Sequence, residues 1–302
     1  MNKVIKVSDA TREKMIEYYK DKRRNKEIPY VVFQAEDMDT VITMYTSGKV
    51  MFQGVSADVD ATMWLEMDGQ SLTPTPTNEE LKKYYYCDSV GSDEVGTGDY
   101  FGPIVVTAAY VRHDDINYLE ELGIKDSKKV NDETILKIAP LVAKKIKYKS
   151  IILSNKEYNE RHDKDNNMNK IKAIMHNKVL RKLIVEEKPK YDYIIVDEFA
   201  KENRYYGYID DSTDIQRGIT FMTKAEDKNL AVAAASIISR YIFLREFNKM
   251  CDEIHIPLPK GAGADVDKAG EEVVEKYGEE KLKDIAKVNF KNTDRILHTL
   301  IY

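Results

Sequence analysis

Only two cysteines occur in 302 residues, Cys87 and Cys251. They stand far apart without paired or metal-ligand spacing, which excludes a disulfide scaffold and predicts two buried thiols in a reducing compartment. No apolar run approaches the roughly 20 residues that a membrane span needs, and the N-terminus MNKVIKVSDATREK lacks the apolar stretch of a signal peptide. A cytoplasmic protein with no membrane partner is expected. A dominant basic field is missing too, because 47 Lys and Arg face 52 Asp and Glu for a net charge of -5. Any polyanion must then be met by local patches. No repeat of solenoid period is present, and nothing signals an oligomer, so the expectation is a monomer.

What is present suits a folded chain of one large domain or two ordinary ones, with 42% hydrophobic and 33% charged residues. The Pro/Thr-rich stretch GQSLTPTPTNEE (69–80) holds two X-Pro steps and little apolar content. It divides the chain into a first domain over 1–70, a linker over 71–80 and a second domain over 81–302.

The first domain reads as a small α+β unit, an antiparallel sheet with two helices. KVIKV (3–7) alternates, Ser8 or Asp9 can cap a helix through MIEYYK, and YVVFQ, TVITMY and VMFQG are β-rich. Alternation sends Val31, Phe33, Ile42, Met44, Val50 and Phe52 to one face, against helices that supply Met15 and Trp64. The other face then holds Tyr30, Gln34, Thr43, Tyr45, Lys49 and Gln53. A solvated sheet face and a platform for a nucleic-acid backbone fit that pattern equally. The basic stretch KDKRRNK (20–26) favours the platform, although cations complementing a helix C-terminus account for it as well.

The second domain alternates β-rich runs (YYYCDSVGSD, FGPIVVTAAYV, YKSIILS, YDYIIVDEF, ITFMTK) with helical patterns, which predicts an α/β domain with a mixed sheet flanked by helices. NDETILKIAPLVAKKIK, NMNKIKAIMHNKVLRKLIVEE and LAVAAASIISRYIFLREFNKM are the clearest helices, with Pro140 set to kink or divide the first.

Acidic residues recur where these runs end. Asp93 and Glu94 lie where a strand meets a glycine turn in VGSDEVGTGDYFGP (90–103). Asp197 and Glu198 close the apolar strand YIIV, and Glu226 or Asp227 precedes the helix LAVAAASII. A single acidic pair at a strand end is commonly a cap or a solvated turn. Three such sites could instead converge at one sheet edge, where they would repel one another unless cations neutralised them. Mg²⁺ suits such a set, since it takes oxygen ligands and is held by a few carboxylates plus phosphate oxygens. Two ions about 4 Å apart would serve phosphodiester cleavage by activating water and stabilising the leaving oxygen.

These motifs resemble a known family. GSDEVGTGDYFGPIVVTAAYV is similar to the signature of type 2 ribonucleases H, and IKDSKKV (124–130), NMNKIKAIMHN (167–177), VDEF and TKAEDKNLAVAAASIISR (223–240) come in the family's order. The branch resembled is ribonuclease HIII, because GTG replaces a glycine-flanked arginine and Glu226 replaces an aspartate. A small N-terminal domain like half of a TATA-box-binding protein, used on substrate, is characteristic of that branch. The resemblance implies a ribonuclease H-like sheet and an endonuclease that cuts the RNA strand of RNA/DNA hybrids with Mg²⁺ or Mn²⁺. The ends left would be 5′-phosphate and 3′-hydroxyl, and two ions are expected with substrate. The four-carboxylate set falls on Asp93, Glu94, Asp197 and Glu226, with Asp93 bridging both ions.

Glycine backbone at Gly96 and Gly98, with Thr97 between, can approach a ribose closely, and the 2′-hydroxyl is what separates RNA from DNA. Lys128 and Lys129, with Asn169, would position phosphates. His176 lies mid-helix without a partner ligand and is read as structural. Two positions depart from the branch. Glu198 is charged where an uncharged residue is expected, and strand alternation favours Asp197 over it; Asn289 stands where a histidine is expected. The nearest alternative function is HII-like nicking at single ribonucleotides in duplex DNA. A non-catalytic hybrid-binding module is the alternative of another class.

Overall fold

The computed structural model describes residues 2–24, 28–68, 78–124 and 130–299. The chain divides into two compact units, Met1–Thr77 and Asn78–Tyr302.

In the first unit β1 (Asn2–Lys6) leads to α1 (Asp9–Tyr18), then β2 (Val31–Asp37), β3 (Thr40–Tyr45), β4 (Lys49–Gly54) and α2 (Ala57–Met67). The strands form one antiparallel sheet in the order β1-β4-β3-β2. Ser8 caps α1 by accepting from the Thr11 amide, which satisfies one of the first-turn donors. One sheet face buries Phe33, Ile42, Met44, Val50 and Phe52 against Met15, Tyr19 and Trp64. The Trp64 indole donates to the Tyr19 hydroxyl at 2.9 Å, so the largest side chain in this core leaves no polar atom stranded. Val31 does not join that core. A bulge between Val31 and Phe33 pairs Val31 with Tyr45 and Phe33 with Met44, and one extra residue reverses the face that Val31 presents.

The second unit opens with α3 (Asn78–Tyr85), so 78–80, expected as linker, and Tyr84–Tyr85, expected as strand, are helical. β5 (Ser89–Val95), β6 (Ile104–Val111), β7 (Lys147–Leu153), β8 (Tyr193–Asp197) and β9 (Ile219–Met222) form a mixed sheet in the order β7-β6-β5-β8-β9. β5 pairs antiparallel with β6 and parallel with β8. Between and after the strands come α4 (Ile116–Glu121), α5 (Asp132–Lys145), α6 (Asn155–Arg161), α7 (Met168–Glu187), α8 (Glu202–Tyr208), α9 (Leu230–Ile254), α10 (Ala264–Tyr277), α11 (Glu280–Ile285) and α12 (Lys291–Thr299). Pro140 sits within α5 without dividing it.

The sheet is covered on both faces. α9 buries Leu230, Ala234, Ile238 and Phe243 with Val105 and Ala109, while α7 buries Ile171, Val179 and Leu183 with Val90, Val106 and Ile194. Each Leu, Ile, Val or Phe among them contributes roughly 1.5–3 kcal/mol through removal from water. The alanines of α9 allow a close approach to β5. A Cβ added at Gly91 would stand 2.4 Å from the Val232 amide nitrogen, so glycine is required there. Cys87 is buried, whereas Cys251 is only half-buried, because it lies near the C-terminal end of α9; both are free.

Candidate active site

The central strand β5 ends in Asp93 and Glu94, and its parallel neighbour β8 ends in Asp197. Parallel pairing brings both C-terminal ends to the same sheet edge, where ligands bind in open α/β sheets. The 3-10 turn Ala225–Asp227 comes after β9 and carries Glu226, which is buried. The Ala225 amide donates to Asp197 Oδ1 at 2.9 Å, which ties the Glu226 turn to the β8 carboxylate. Asn229 fixes the junction between that turn and α9. Its side chain accepts from the Ala231 and Val232 amides, capping α9, and donates to the Tyr84 carbonyl and the Ser89 hydroxyl.

Electrostatics distinguish the members of this group. Burial, with the neighbouring charges of Glu94 and Asp197, pushes the Asp93 carboxyl up to about 7; contacts with Ser236 and the Glu94 amide only partly offset this. Burial alone would raise Glu94 as well, but His176 and Lys172 outweigh it and hold that carboxyl down to about 2. Lys172 ion-pairs with Glu94 Oε1, and His176 Nε2 donates to Oε2 at 2.9 Å. Asp197 acts on Asp93, whereas Glu198, one residue past the end of β8, pairs with Lys201. Among the described residues no three His, Cys, Asp or Glu side chains are gathered so as to hold a metal ion by themselves.

The glycine turn after β5 is pinned from behind. Gly96 has φ +96°, and a Cβ there would meet the Pro103 carbonyl oxygen at 2.1 Å. Gly98 is exposed, with nothing within 4 Å of an added Cβ, and Thr97 is half-buried. Lys287 is fully buried and donates to the carbonyls of Asp99 at 2.8 Å and Gly102 at 2.6 Å. Burial lowers its ammonium to about 7. Asn169 lies exposed in the first turn of α7, one turn before Lys172 on the same helix face. Lys128 and Lys129 fall outside the described residues. The residue after them is anchored, since Arg240 donates to the Val130 carbonyl at 2.7 Å while also pairing with Asp132. Asn289 approaches His162, 3.5 Å from Nδ2 to Nε2.

In the first unit Lys49 is exposed, and Tyr45 and Gln53 are half-buried on the sheet face opposite the core. Lys49 stands beside Lys6 of β1. The basic stretch at 20–26 offers less free charge than its sequence implies. Lys22 pairs with Asp37, Arg24 with Glu36 and Lys20 with Glu17.

Sequence reasoning does not single out Lys172, His176, Asn229 or Lys287 as site residues. The NMNKIKAIMHN motif holds a partial signal, because Asn169, Lys172 and His176 stand at i, i+3 and i+7 on one helix face.

A five-stranded mixed sheet with helices on both faces and carboxylates at the C-terminal ends of its central parallel strands is the arrangement that the resemblance to type 2 ribonucleases H implies. The family model described as Ribonuclease HII matches residues 90–293, and one described as a domain of unknown function (DUF3378) matches residues 2–77. The chain is 40% identical to Ribonuclease HIII of Bacillus cereus strain AH187 over 305 residues, covering 98% of both chains. Ribonuclease HIII of Bacillus thuringiensis subsp. konkukian strain 97-27 is equally similar, 40% identical with 98% of each chain covered. The crystal structure of Bst-RNase HIII in complex with Mn²⁺ superposes with a TM-score of 0.72 at 38% identity, covering 99% of both chains. The chain belongs to the ribonuclease HIII family.

Proposed function

We propose that this ribonuclease hydrolyses the RNA strand of RNA/DNA hybrids, leaving 5′-phosphate and 3′-hydroxyl ends, with two Mg²⁺ or Mn²⁺ ions held by Asp93, Glu94, Asp197 and Glu226. The observation that carries this reading is that Asp93 and Glu94 of β5 and Asp197 of β8 stand at the C-terminal ends of neighbouring parallel strands, with the turn that bears Glu226 bonded to Asp197. A site that concentrates hard oxygen donors against their own repulsion fits a divalent cation. Such ions keep several waters and share substrate phosphate oxygens, so protein side chains need not enclose them alone. When bound, the ions supply an activated water and neutralise charge on the leaving oxygen.

The chain's own residues do the rest. Asp93, on which the charges of Glu94 on its own strand and Asp197 on the next both act, would hold the ions together with them. The Ala225 amide, next to Glu226, is bonded to Asp197, which supports counting Glu226 in the set. Gly98, open to solvent, lets backbone approach the ribose, where the 2′-hydroxyl distinguishes RNA from DNA. Lys128, Lys129 and Asn169 receive phosphates. In the first unit, the face bearing Tyr45, Lys49 and Gln53 serves as a second contact with the hybrid backbone, as in the TATA-box-binding-protein-like domains of this branch. The protein acts as a cytoplasmic monomer.

The experiment is a cleavage map on two duplexes, one with a run of ribonucleotides and one with a single embedded ribonucleotide, each titrated with Mg²⁺ and Mn²⁺. Efficient cutting of the run and poor cutting at the single site are expected. Comparable rates on the two would refute hybrid specificity in favour of HII-like nicking.

A further inference from the structure

Glu94 needs an external constraint, because a glutamate has several rotatable bonds and gains most from binding when its geometry is set beforehand. His176, Ser92, Phe199 and Lys172 together supply one. His176 is fully buried on α7, 82 residues from Glu94 in sequence, and its Nε2 donates to Glu94 Oε2 at 2.9 Å. Its Nδ1 lies 2.7 Å from the hydroxyl oxygen of buried Ser92. Ser92 and Glu94 are two apart on β5 and so present the same sheet face. The imidazole therefore spans two neighbouring positions of one strand. Phe199 stacks on the ring at 5.4 Å and 26°, which restrains its rotation. The same phenyl ring lies 4.1 Å beneath the Lys172 ammonium, and Lys172 holds the other Glu94 oxygen. The Phe199 amide, in turn, donates to the Asp197 carbonyl at 2.9 Å.

A buried histidine with only a packing role needs a partner for each nitrogen and no more. This one spends its donor on a carboxylate of the candidate metal site and is stacked by the turn that succeeds a second one. We infer that His176 is a positioning residue: bridging Ser92 and Glu94 and packed on Phe199, it aims the Glu94 carboxylate toward the ion site. Each carboxylate oxygen has a second acceptor site, so the hydrogen bond and ion pair leave lone pairs for an ion. The inference rests on the reading of Glu94 as a metal ligand.

The test uses the full chain, with Mn²⁺ alone as probe, and then kcat and KM on a hybrid. Mn²⁺ binding is read by the loss of the free-ion paramagnetic resonance signal. His176→Ala is expected to weaken Mn²⁺ binding and lower kcat by about 10- to 100-fold, the usual effect of removing a hydrogen-bond partner from a ligating carboxylate. KM for the hybrid should stay near that of the parent protein. His176→Gln keeps a donor at the reach of Nε2 and should restore much of the loss, which a packing role alone would not produce. Ser92→Ala leaves the ring in place and should weaken Mn²⁺ binding several-fold, so it carries the test if His176→Ala does not fold in EDTA. Unchanged Mn²⁺ affinity in His176→Ala, or in Ser92→Ala should the first not fold, overturns the inference if Glu94→Gln loses affinity. Unchanged affinity in Glu94→Gln overturns instead the reading of Glu94 as a ligand.

Discussion

Replacing Asp93 with asparagine should stabilise the metal-free protein at the pH where the parent enzyme carries its full negative charge. Asparagine keeps the shape and an oxygen to accept from the Glu94 amide, now 2.9 Å from Asp93 Oδ1. What it removes is a charge crowded by burial, Glu94 and Asp197. The Asp93 carboxyl lies at about 7 in the folded protein against an ordinary value of 3.8. Between those values the folded state binds more protons than the unfolded one, so the stability of the parent falls as pH rises from about 4 to 7. About three pH units correspond to a ceiling of ~4 kcal/mol, and since Asp93 is half-buried and not fully enclosed, an effect on the order of 2 kcal/mol is expected. For a unit of this size that is a rise of roughly 4–8 °C in thermal midpoint.

The assay is thermal or urea unfolding in EDTA at pH 8 and at pH 4.5, for the parent and Asp93→Asn. The variant should be more stable at pH 8, and the gap should shrink toward pH 4.5 as the parent takes up its proton. Added Mn²⁺ should reverse the order, because only the parent binds the ion well. A variant no more stable than the parent at pH 8, or a gap independent of pH, would refute the account of repelling carboxylates.

Three further outcomes are expected. Gly98→Ala should fold normally, since nothing lies within 4 Å of the new Cβ, yet raise KM for the hybrid; Gly96→Ala, at φ +96° and 2.1 Å from the Pro103 oxygen, should destabilise the fold. Hybrid KM unchanged in Gly98→Ala would remove that loop from substrate contact. Lys49→Ala should weaken hybrid binding and reduce the salt dependence of log K by about one unit, measured by fluorescence anisotropy over a salt series. An unchanged slope would leave that face as a solvated sheet surface. Asn229→Ala removes the α9 cap and two buried donor contacts, and should cost about 2–4 kcal/mol in urea unfolding; a loss under about 0.5 kcal/mol, the level of an ordinary surface substitution, would contradict its placement.

Short-range pattern sets the parts of the fold that are legible in the sequence. Alternation locates β1 to β4 and their buried face, and apolar runs ending in acids locate the ends of β5 and β8. Val31 escapes because a bulge changes the face of a strand without altering local composition. Tyr84 and Tyr85 look β-prone by type, but they close α3, whose Tyr84 carbonyl is held by Asn229. The aromatic preference for strands yields there to tertiary context. At the site, Asp93, Glu94 and Asp197 can be chosen because strand ends and family motifs coincide. His176 reads as merely structural in the sequence because its partners lie on β5, and nothing in its own helix names Glu94. Lys287 escapes for the same reason: its acceptors are backbone carbonyls 185 and 188 residues away. Contacts across such separations exist only once the sheet has formed.

Whether a carboxylate-held divalent site cuts the RNA strand of a hybrid is decided with an end-labelled RNA strand annealed to DNA, incubated with the parent or Asp93→Asn in Mg²⁺ and then in EDTA, with the product ends identified. Mg²⁺-dependent products carrying 5′-phosphate and 3′-hydroxyl ends are expected from the parent alone, while Asp93→Asn still binds the hybrid. Cleavage by Asp93→Asn at the parent rate, or 2′,3′-cyclic phosphate ends formed in EDTA, would contradict a carboxylate-held divalent site.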